Sequence, residues 1–456
     1  MTNTIIKTGR TFSVSERLER LPVTSYQQML FLIIATAFLF DGVEIVNMTF
    51  ALPSIKAEFH LTLEQAGLLA SITFLGMFIG ASSAGILADR FGRRNVFQWS
   101  MVIWGFASLV CGMAPNLTVF ALSRIVLGVG MAMEPIAGQA LLSELLPAKQ
   151  RGKYLSYFEG FAILGTIVSG IFAYFFLPLG GWRLLFIAEA VPAAFVFVVR
   201  RGVPESPRWL EKTGRLAQAE STMNMIENRV SGALGGAALP EPKKLEINET
   251  EHSKFALPDL FGPMFLKRTC MLWCLWFFAL LGFFGFTTWL GELLMRKGYA
   301  ITKSSLYLSF IWCGGIAGFL ATGKMLETIG RKPTLVIALI GSTISLGLYA
   351  NASDFTQLVI LGLIMQFFIF STWCTIYAYT PELYPTDGRA TGVGFASAVG
   401  RIGALVAPFT GAIALSSFGQ NGAYYLSAGA FFIAAVTTWA LGEETKGRIL
   451  EEISQQ

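Results

Sequence analysis

Twelve predominantly apolar stretches, each close to twenty residues long, recur along this chain of 456 residues. They occupy 29–52, 66–87, 95–114, 117–142, 154–178, 182–200, 268–294, 304–326, 333–350, 356–380, 389–412 and 421–441. A hydrocarbon core of about 30 Å takes about 20 residues of helix to cross, and within it every backbone polar group must be bonded inside the segment. Runs of that length, repeated, constrain the chain to an all-α membrane protein of twelve transmembrane helices. Composition agrees, with 54% hydrophobic and only 14% charged residues. Soluble domains carry about 25% charged residues, so a soluble enzyme, a nucleic-acid binder and a disordered chain are poor readings. The 5 Cys fall inside apolar runs without metal-ligand spacing, and both histidines, His60 and His252, lie in loops. No disulfide framework, metal site or Cys-His or Ser-His-Asp catalytic set is therefore expected, and the chain does not read as an enzyme. It has no Walker motif, so direct use of ATP is not expected.

The runs divide the chain into a tail (1–28), a first bundle (29–200), a central polar loop (201–267), a second bundle (268–441) and a closing tail (442–456). The first 28 residues are polar and basic and the first apolar run is full length, so no cleavable signal peptide is expected. Of the 34 Lys and Arg, all but seven fall in the tails, the central loop and the loops on the same side. The exceptions are Lys56, Arg183, Arg296, Lys297 and Lys303 on the other side, and Arg124 and Arg401 inside spans. Positive charge gathers on the cytoplasmic face, which predicts both termini and the central loop inside a cell inner membrane.

Two loop sequences recur. Gly85-Ile-Leu-Ala-Asp89-Arg90-Phe-Gly92-Arg93-Arg94 follows span two, and Gly323-Lys-Met-Leu-Glu327-Thr-Ile-Gly330-Arg331-Lys332 follows span eight. Glu144-Leu-Leu-Pro147-Ala-Lys-Gln-Arg151 follows span four, and Glu382-Leu-Tyr-Pro385-Thr-Asp-Gly-Arg389 follows span ten. Both pairs are separated by 238 positions. Duplicated six-helix halves predict a pseudo-two-fold axis along the membrane normal, with a binding site between the halves near the midplane. The loop charges Asp89, Arg90, Arg93, Glu144, Arg151, Glu327, Arg331, Glu382 and Arg389, with turns at Gly92 and Gly330, are candidate gating contacts. The acid of each loop is expected to bond helix N-terminal amides or a nearby Arg.

These loops resemble the signature loops of the major facilitator superfamily. Arg124-x-x-x-Gly128-x-Gly130 resembles a second superfamily motif, and Pro204-Glu205-Ser206-Pro207-Arg208-Trp209-Leu210 and Glu444-Thr445-Lys446-Gly447 are similar to marks of its sugar-porter and organic-ion branches. Asp41-Gly42-x-Glu44, with Leu52-Pro53 beyond it, is similar to a motif of aromatic-acid/proton symporters, and the chain also resembles bacterial niacin transporters. Glu327 and Glu44 each stand where those patterns have Asp. The resemblance implies a monomeric secondary transporter working by alternating access, driven by a proton gradient and needing no cofactor, with protons, a small organic anion and the lipid bilayer as its partners and no nucleic acid.

Intramembrane charges are the functional candidates, because each costs about 2.5–3.5 kcal/mol at the bilayer centre. They are Asp41, Glu44, Arg124, Glu134, Glu159, Glu189 and Arg401. Five acids face two guanidiniums, and protons on some of the acids would relieve the excess. Asp41 and Glu44 share one helix face, and by helical rise Asp41, Glu44 and Arg124 lie at similar depths, about 10–16 Å from one end. Proton/sugar symporters that the chain resembles use such a pair in the matching helices, so Asp41 is read as proton acceptor with Glu44 beside it and Arg124 as its partner. Arg401 has no acid near it in its own helix and suits a carboxylate, on the cargo or across the halves. Trp276, Phe283, Tyr307, Trp312 and Tyr377 are candidates to stack on a flat ring, and Gln139 and Gln366 to supply neutral polar contacts. The expected cargo is a small aromatic monocarboxylate, nicotinate- or benzoate-like, taken up with protons. A sugar or polyol symporter and an organic-cation or drug exporter are the alternatives.

Overall fold

Short polar side chains set where the helices begin. Asn116 accepts a hydrogen bond from the Val119 amide at 2.9 Å, and Asp354, 238 residues on, accepts one from the Gln357 amide at the same distance. Such N-caps satisfy amides that the first helical turn leaves unbonded. The computed structural model describes residues 12–242, 260–384 and 389–446, apart from the side chains of 301–303 and 389–390.

A short helix α1 (Val14–Glu19) precedes the first crossing, α2 (Ser25–Glu58). Then follow α3 (Leu63–Phe91), α4 (Arg93–Gly112), α5 (Leu117–Leu145) and α6 (Ala148–Ala190). The last of these is two crossings in one. Gly180 and Gly181 leave helical geometry, Gly181 with φ 63°, and the chain folds back there. A 3-10 turn (Val191–Phe195) at Pro192 and α7 (Val196–Gly202) finish the sixth crossing. Beyond the linker helices α8 (Pro207–Lys212) and α9 (Leu216–Ala233) come α10 (Leu266–Thr287) and α11 (Leu290–Arg296), one crossing broken at Thr288–Trp289. The second half ends with α12 (Ile301–Thr328), α13 (Arg331–Ala350), α14 (Phe355–Glu382), α15 (Arg389–Phe418) and α16 (Gly422–Leu441).

Ten helical stretches among the described residues are long and apolar enough to cross a membrane, one of them the 55-residue double crossing Ala148–Gly202. With α4, whose first turn is polar, they make the expected twelve crossings. The helices outrun the apolar stretches, the first starting at Ser25 and ending at Glu58 rather than spanning 29–52. Hydropathy marks the lipid-buried portion, while helical hydrogen bonding continues into the polar interface.

Without water, helices associate by close packing, and small residues let their backbones approach. A Cβ at Gly76 would meet the Ile125 carbonyl oxygen at 2.0 Å, and one at Gly80 would meet that of Val129 at 2.3 Å, so α3 and α5 touch backbone to backbone. The duplicate seam joins α12 to α14, with Gly314 on the Leu363 oxygen at 2.3 Å and Gly318 on that of Phe367 at 2.2 Å. A third pair sets Gly165 on the Leu39 oxygen and Gly403 on that of Phe277, at 2.2 and 2.3 Å. Every member of these pairs lies 238 positions from its counterpart. The duplication seen in the loops therefore extends through the packing of the bundles.

At the motif end, α1, α8 and α9 form a small helical layer under the first half. Arg17 bonds Glu220, Asn224 and Glu227, each at 2.6 Å, and Glu19 receives Arg208 and the Ala148 amide, both at 2.7 Å. Ala219, Met223, Ile226 and Val230, one face of α9, are buried.

The halves meet at the opposite end. The Thr49 hydroxyl donates to the Thr287 carbonyl at 3.1 Å, Ser309 donates to the Ile167 carbonyl at 2.8 Å, and Lys56 pairs with Glu292 at 2.5 Å. Gly67 packs against Pro408, and Phe74 against Phe284 with ring centres 4.5 Å apart. At the motif end the ion pairs Arg93–Asp89, Arg93–Glu144, Arg268–Glu443 and Arg331–Glu382 each stay within one half. The result is a cleft closed at one end and parted at the other.

The glycine seams should be intolerant of bulk. Gly76→Val is expected to cost about 1–3 kcal/mol through overpacking, lowering the melting temperature in detergent by several degrees. Gly85→Ala, which would meet nothing within 4 Å, should leave it unchanged.

Candidate transport site

Arg124 stands at the centre of the first bundle. Its guanidinium donates to Glu44 at 2.7 Å, with side-chain exposures of 2% and 1%. Its Nε donates to the Thr73 hydroxyl at 2.9 Å, and the Phe186 ring lies 5.4 Å from its carbon. Four crossings thus converge on one cation. Ser108 caps the site, donating to the Phe186 carbonyl at 2.9 Å with Glu44 3.4 Å away.

The sequence reading paired Arg124 with Asp41; in the structure its partner is Glu44. The two acids are three residues apart, and the helix's rotation about its axis turns Glu44 to the guanidinium. Asp41 is buried, neither of its carboxyl oxygens has a hydrogen-bond partner, and Glu134 and Glu44 are its charged neighbours. Glu134 accepts from the Trp104 indole at 2.6 Å through one oxygen, while the other has no partner. Glu189, also buried, lies within hydrogen-bonding reach of Glu44 and beside Arg124. Asp41, Glu44, Glu134 and Glu189 thus share one bundle interior with a single Arg. An unpaired buried ion costs several kcal/mol, so a fully ionised set would be strongly disfavoured.

A second group faces the cleft, mostly from the other half. Trp276, Trp373 and Tyr377 form a triangle, with Trp276 edge-on to Tyr377 at 5.4 Å and each tryptophan 6.3 Å from its remaining neighbour. The Trp276 indole donates to the Thr380 hydroxyl at 3.0 Å, and Phe283 abuts Trp373 at 5.8 Å. Gly400 brings α15 against Trp276, where a Cβ would lie 3.1 Å from the indole. The next residue, Arg401, is partly exposed and makes no ion pair among the described residues; its electrostatic neighbour is Tyr377. Tyr377, at 49% exposure, is open to the cleft. From the first half, Glu159 also reaches the Tyr377 hydroxyl electrostatically and accepts from the Gln139 amide at 2.6 Å.

Other candidates lie elsewhere. Tyr307 is buried inside the second half, bonded to Tyr349 at 2.9 Å and to the Leu358 carbonyl at 2.7 Å. Trp312 is buried against Phe50 in the seam between the halves, 6.3 Å between ring centres. Gln366 is fully buried with both amide atoms unbonded. Residue type and spacing mark these side chains as aromatic or polar but do not tell which face of the helix meets the cleft. Trp373 and Glu159 join the cleft group without having been singled out as cargo contacts; the Gln139–Glu159 pair joins neighbouring helices and has no local spacing signal.

The motif loops form two matching clusters. Arg93 bonds Asp89 at 2.6 Å and Glu144 at 3.0 Å, and Arg331 bonds Glu382 at 3.0 Å. Of the two partners expected for the loop acid, helix N-terminal amides or a nearby Arg, Asp89 takes the Arg. The amides go to other acids: Glu205 accepts from the Arg94 amide at 3.0 Å, and Glu444 from the Arg331 and Lys332 amides at 2.9 and 3.1 Å. Both carboxylates lie against glycines in the left-handed region, Gly92 (φ 103°) and Gly330 (φ 102°), where a Cβ would strike them. Ser206 then bonds Glu144, and Thr445 bonds Glu382. Arg90 lies over Phe91 and Arg151 pairs with Glu19, while Glu327 is exposed. The side chain of Arg389 lies outside the described residues.

The family model described as Major Facilitator Superfamily matches residues 30–330 and 302–454. The "Niacin transporter NiaP" of Acinetobacter baylyi is 31% identical over 438 residues, covering 96% of this chain and 98% of that protein. The "Organic cation/carnitine transporter 7" of Arabidopsis thaliana is 27% identical, covering 97% and 96%. Among solved structures, the xylose transporter XylE from E. coli, in a partially occluded inward open conformation, superposes with a TM-score of 0.74 at 19% identity, covering 93% of this chain and all of that one. That likeness bears on the fold.

The Arg124–Glu44 pair yields a stability test. Arg124→Met leaves a buried carboxylate without its cation, at a cost of about 3–5 kcal/mol. Adding Glu44→Gln removes the stranded charge and should recover most of the loss. Unfolding in detergent measures both; equal stabilities for the single and double variants would show that the pair is not a structural unit.

Proposed function

This chain belongs to the Major Facilitator Superfamily, and we propose that it imports a small aromatic monocarboxylate, nicotinate- or benzoate-like, together with protons. The observation that carries the reading is Arg401, a guanidinium in mid-crossing without an acid partner among the described residues, beside the Trp276, Trp373 and Tyr377 rings. A planar guanidinium fits a carboxylate through two parallel hydrogen bonds, and the rings give a flat molecule an edge or a face to pack on. A polyhydroxylated sugar calls for many neutral donors and acceptors. Here Gln139 is engaged by Glu159 and Gln366 is buried away from solvent. The niacin transporter of Acinetobacter baylyi supports the same cargo class.

Energy coupling is assigned to the acids of the first bundle. Asp41, unbonded beside the Glu44–Arg124 pair, takes the proton in this reading. Moving the proton on and off changes how much negative charge the bundle interior must neutralise, and so biases the conformation. Each unit of pH gradient contributes about 1.4 kcal/mol per proton, enough for tenfold accumulation. One proton with one monoanion carries no net charge, so membrane voltage would have little effect. With the motif end in the cytoplasm of a plasma-membrane protein, the described conformation opens inward, and parting the Thr49–Thr287 and Lys56–Glu292 contacts opens the other side.

The test is uptake of radiolabelled nicotinate and benzoate into proteoliposomes under imposed pH gradients. Acidification outside should drive accumulation, and indifference to it would sink the coupling. Asp41→Asn should abolish accumulation but keep exchange; normal accumulation would refute the assignment. Arg401→Lys keeps the charge and loses the fork, so it should weaken carboxylate binding about tenfold, the scale of one charge-assisted hydrogen bond.

A further inference from the structure

The cleft presents a guanidinium from one half and a carboxyl group from the other. Arg401 projects from α15 and has no acid partner among the described residues, and Glu159 projects from α6. Both lie within electrostatic reach of the Tyr377 hydroxyl, and Tyr377 is half exposed. No ion pair joins Arg401 and Glu159. Glu159 is held by one bond, from Gln139 at 2.6 Å to Oε1, and no hydrogen bond engages Oε2. Gly160, the next residue on α6, faces open space, where a Cβ would meet nothing within 4 Å. The carboxyl group is therefore positioned by a neighbour on its own half and retains free accepting capacity toward the opening.

From this arrangement we infer that Glu159, steadied by Gln139, reads the far end of the cargo, and that the preferred cargo is bipolar: an aromatic ring with a carboxylate at one end and a cationic or N–H-bearing nitrogen at the other. The inference rests on the reading of Arg401 as the carboxylate site and narrows it. A plain benzoate satisfies Arg401 and leaves Glu159 with nothing to accept from. A ligand with an ammonium or N–H group satisfies both side chains and ties the first half to the second. Such a bridge is formed only when the halves are close enough to share one molecule.

Benzoate and 3-(aminomethyl)benzoate differ by one ammonium group and make the test. Their competition against radiolabelled nicotinate is measured in proteoliposomes holding the full-length protein, its Glu159→Gln variant or its Arg401→Lys variant. The full-length protein should take the ammonium-bearing acid about tenfold more tightly, the worth of a charge-assisted hydrogen bond. Glu159→Gln should reduce that preference about tenfold, and Arg401→Lys should weaken both acids while keeping their ratio. Gln139→Ala should lower the preference in part, since it frees the carboxyl group without removing it. Equal affinity for the two acids in the full-length protein, or a ratio unchanged by Glu159→Gln, overturns the inference while leaving the carboxylate site standing. If neither acid nor nicotinate binds, the carboxylate site falls and this inference with it.

Discussion

A charge placed in hydrocarbon must find a partner, and the Glu44–Arg124 pair is where this protein meets that demand. Its cation is reached from three other crossings, through a carboxylate, a threonine hydroxyl and a phenyl ring, and a serine from a further crossing reaches the carboxylate. Those groups fix how α2, α3, α4, α5 and the second leg of α6 are turned about their axes. Once those rotations are set, Asp41, Glu134 and Glu189 are all turned into the same dry interior. The one strong pair thereby defines a neighbourhood in which any further negative charge is costly, and in which protonation and conformation are bound together.

The two halves share a backbone design and divide the chemistry. Counterparts 238 positions apart keep the Asn116 and Asp354 caps, the glycine seams and the turn glycines Gly92 and Gly330. The positions matching Asp41, Glu44 and Arg124 are Ala279, Gly282 and Gly362, and the position matching Arg401 is Ile163. Packing geometry was retained through the duplication because each glycine contact sets an interhelical distance. The Glu44–Arg124 pair was free to differ from its counterparts because both of its members lie in one bundle.

Much of this was legible in the residues, and the boundary is physical. The apolar runs marked all twelve crossings because lipid thickness sets their length. The loop motifs marked the duplication because Gly92 and Gly330 hold backbone conformations that other residues resist. Arg401 could be singled out because an unpaired cation in an apolar run is conspicuous. Helix rotation was not legible: Asp41 and Glu44 lie on neighbouring strips of one helix, and only packing decides which one meets Arg124. The same ambiguity separates Tyr377, open to the cleft, from Tyr307, bonded inside its own bundle. The helix-capping Glu205 and Glu444 were visible only as parts of family-like motifs, since their targets lie over a hundred residues away in sequence.

The closed end of the cleft is sealed by one buried apolar cluster shared by both halves and by glycines lying on the opposite main chain, with few polar contacts among them: two hydroxyls donating to backbone carbonyls and one lysine–glutamate bridge. Each hydroxyl bond is worth about 0.5–1.5 kcal/mol, and a solvent-reaching bridge less than about 1. The polar bonds are thus the small part of the closure, and opening this side means trading the shared apolar packing for contacts at the other end. A passenger can shift that exchange only by as much as it grips one form better than the other, so the apolar seam sets how selective its grip must be.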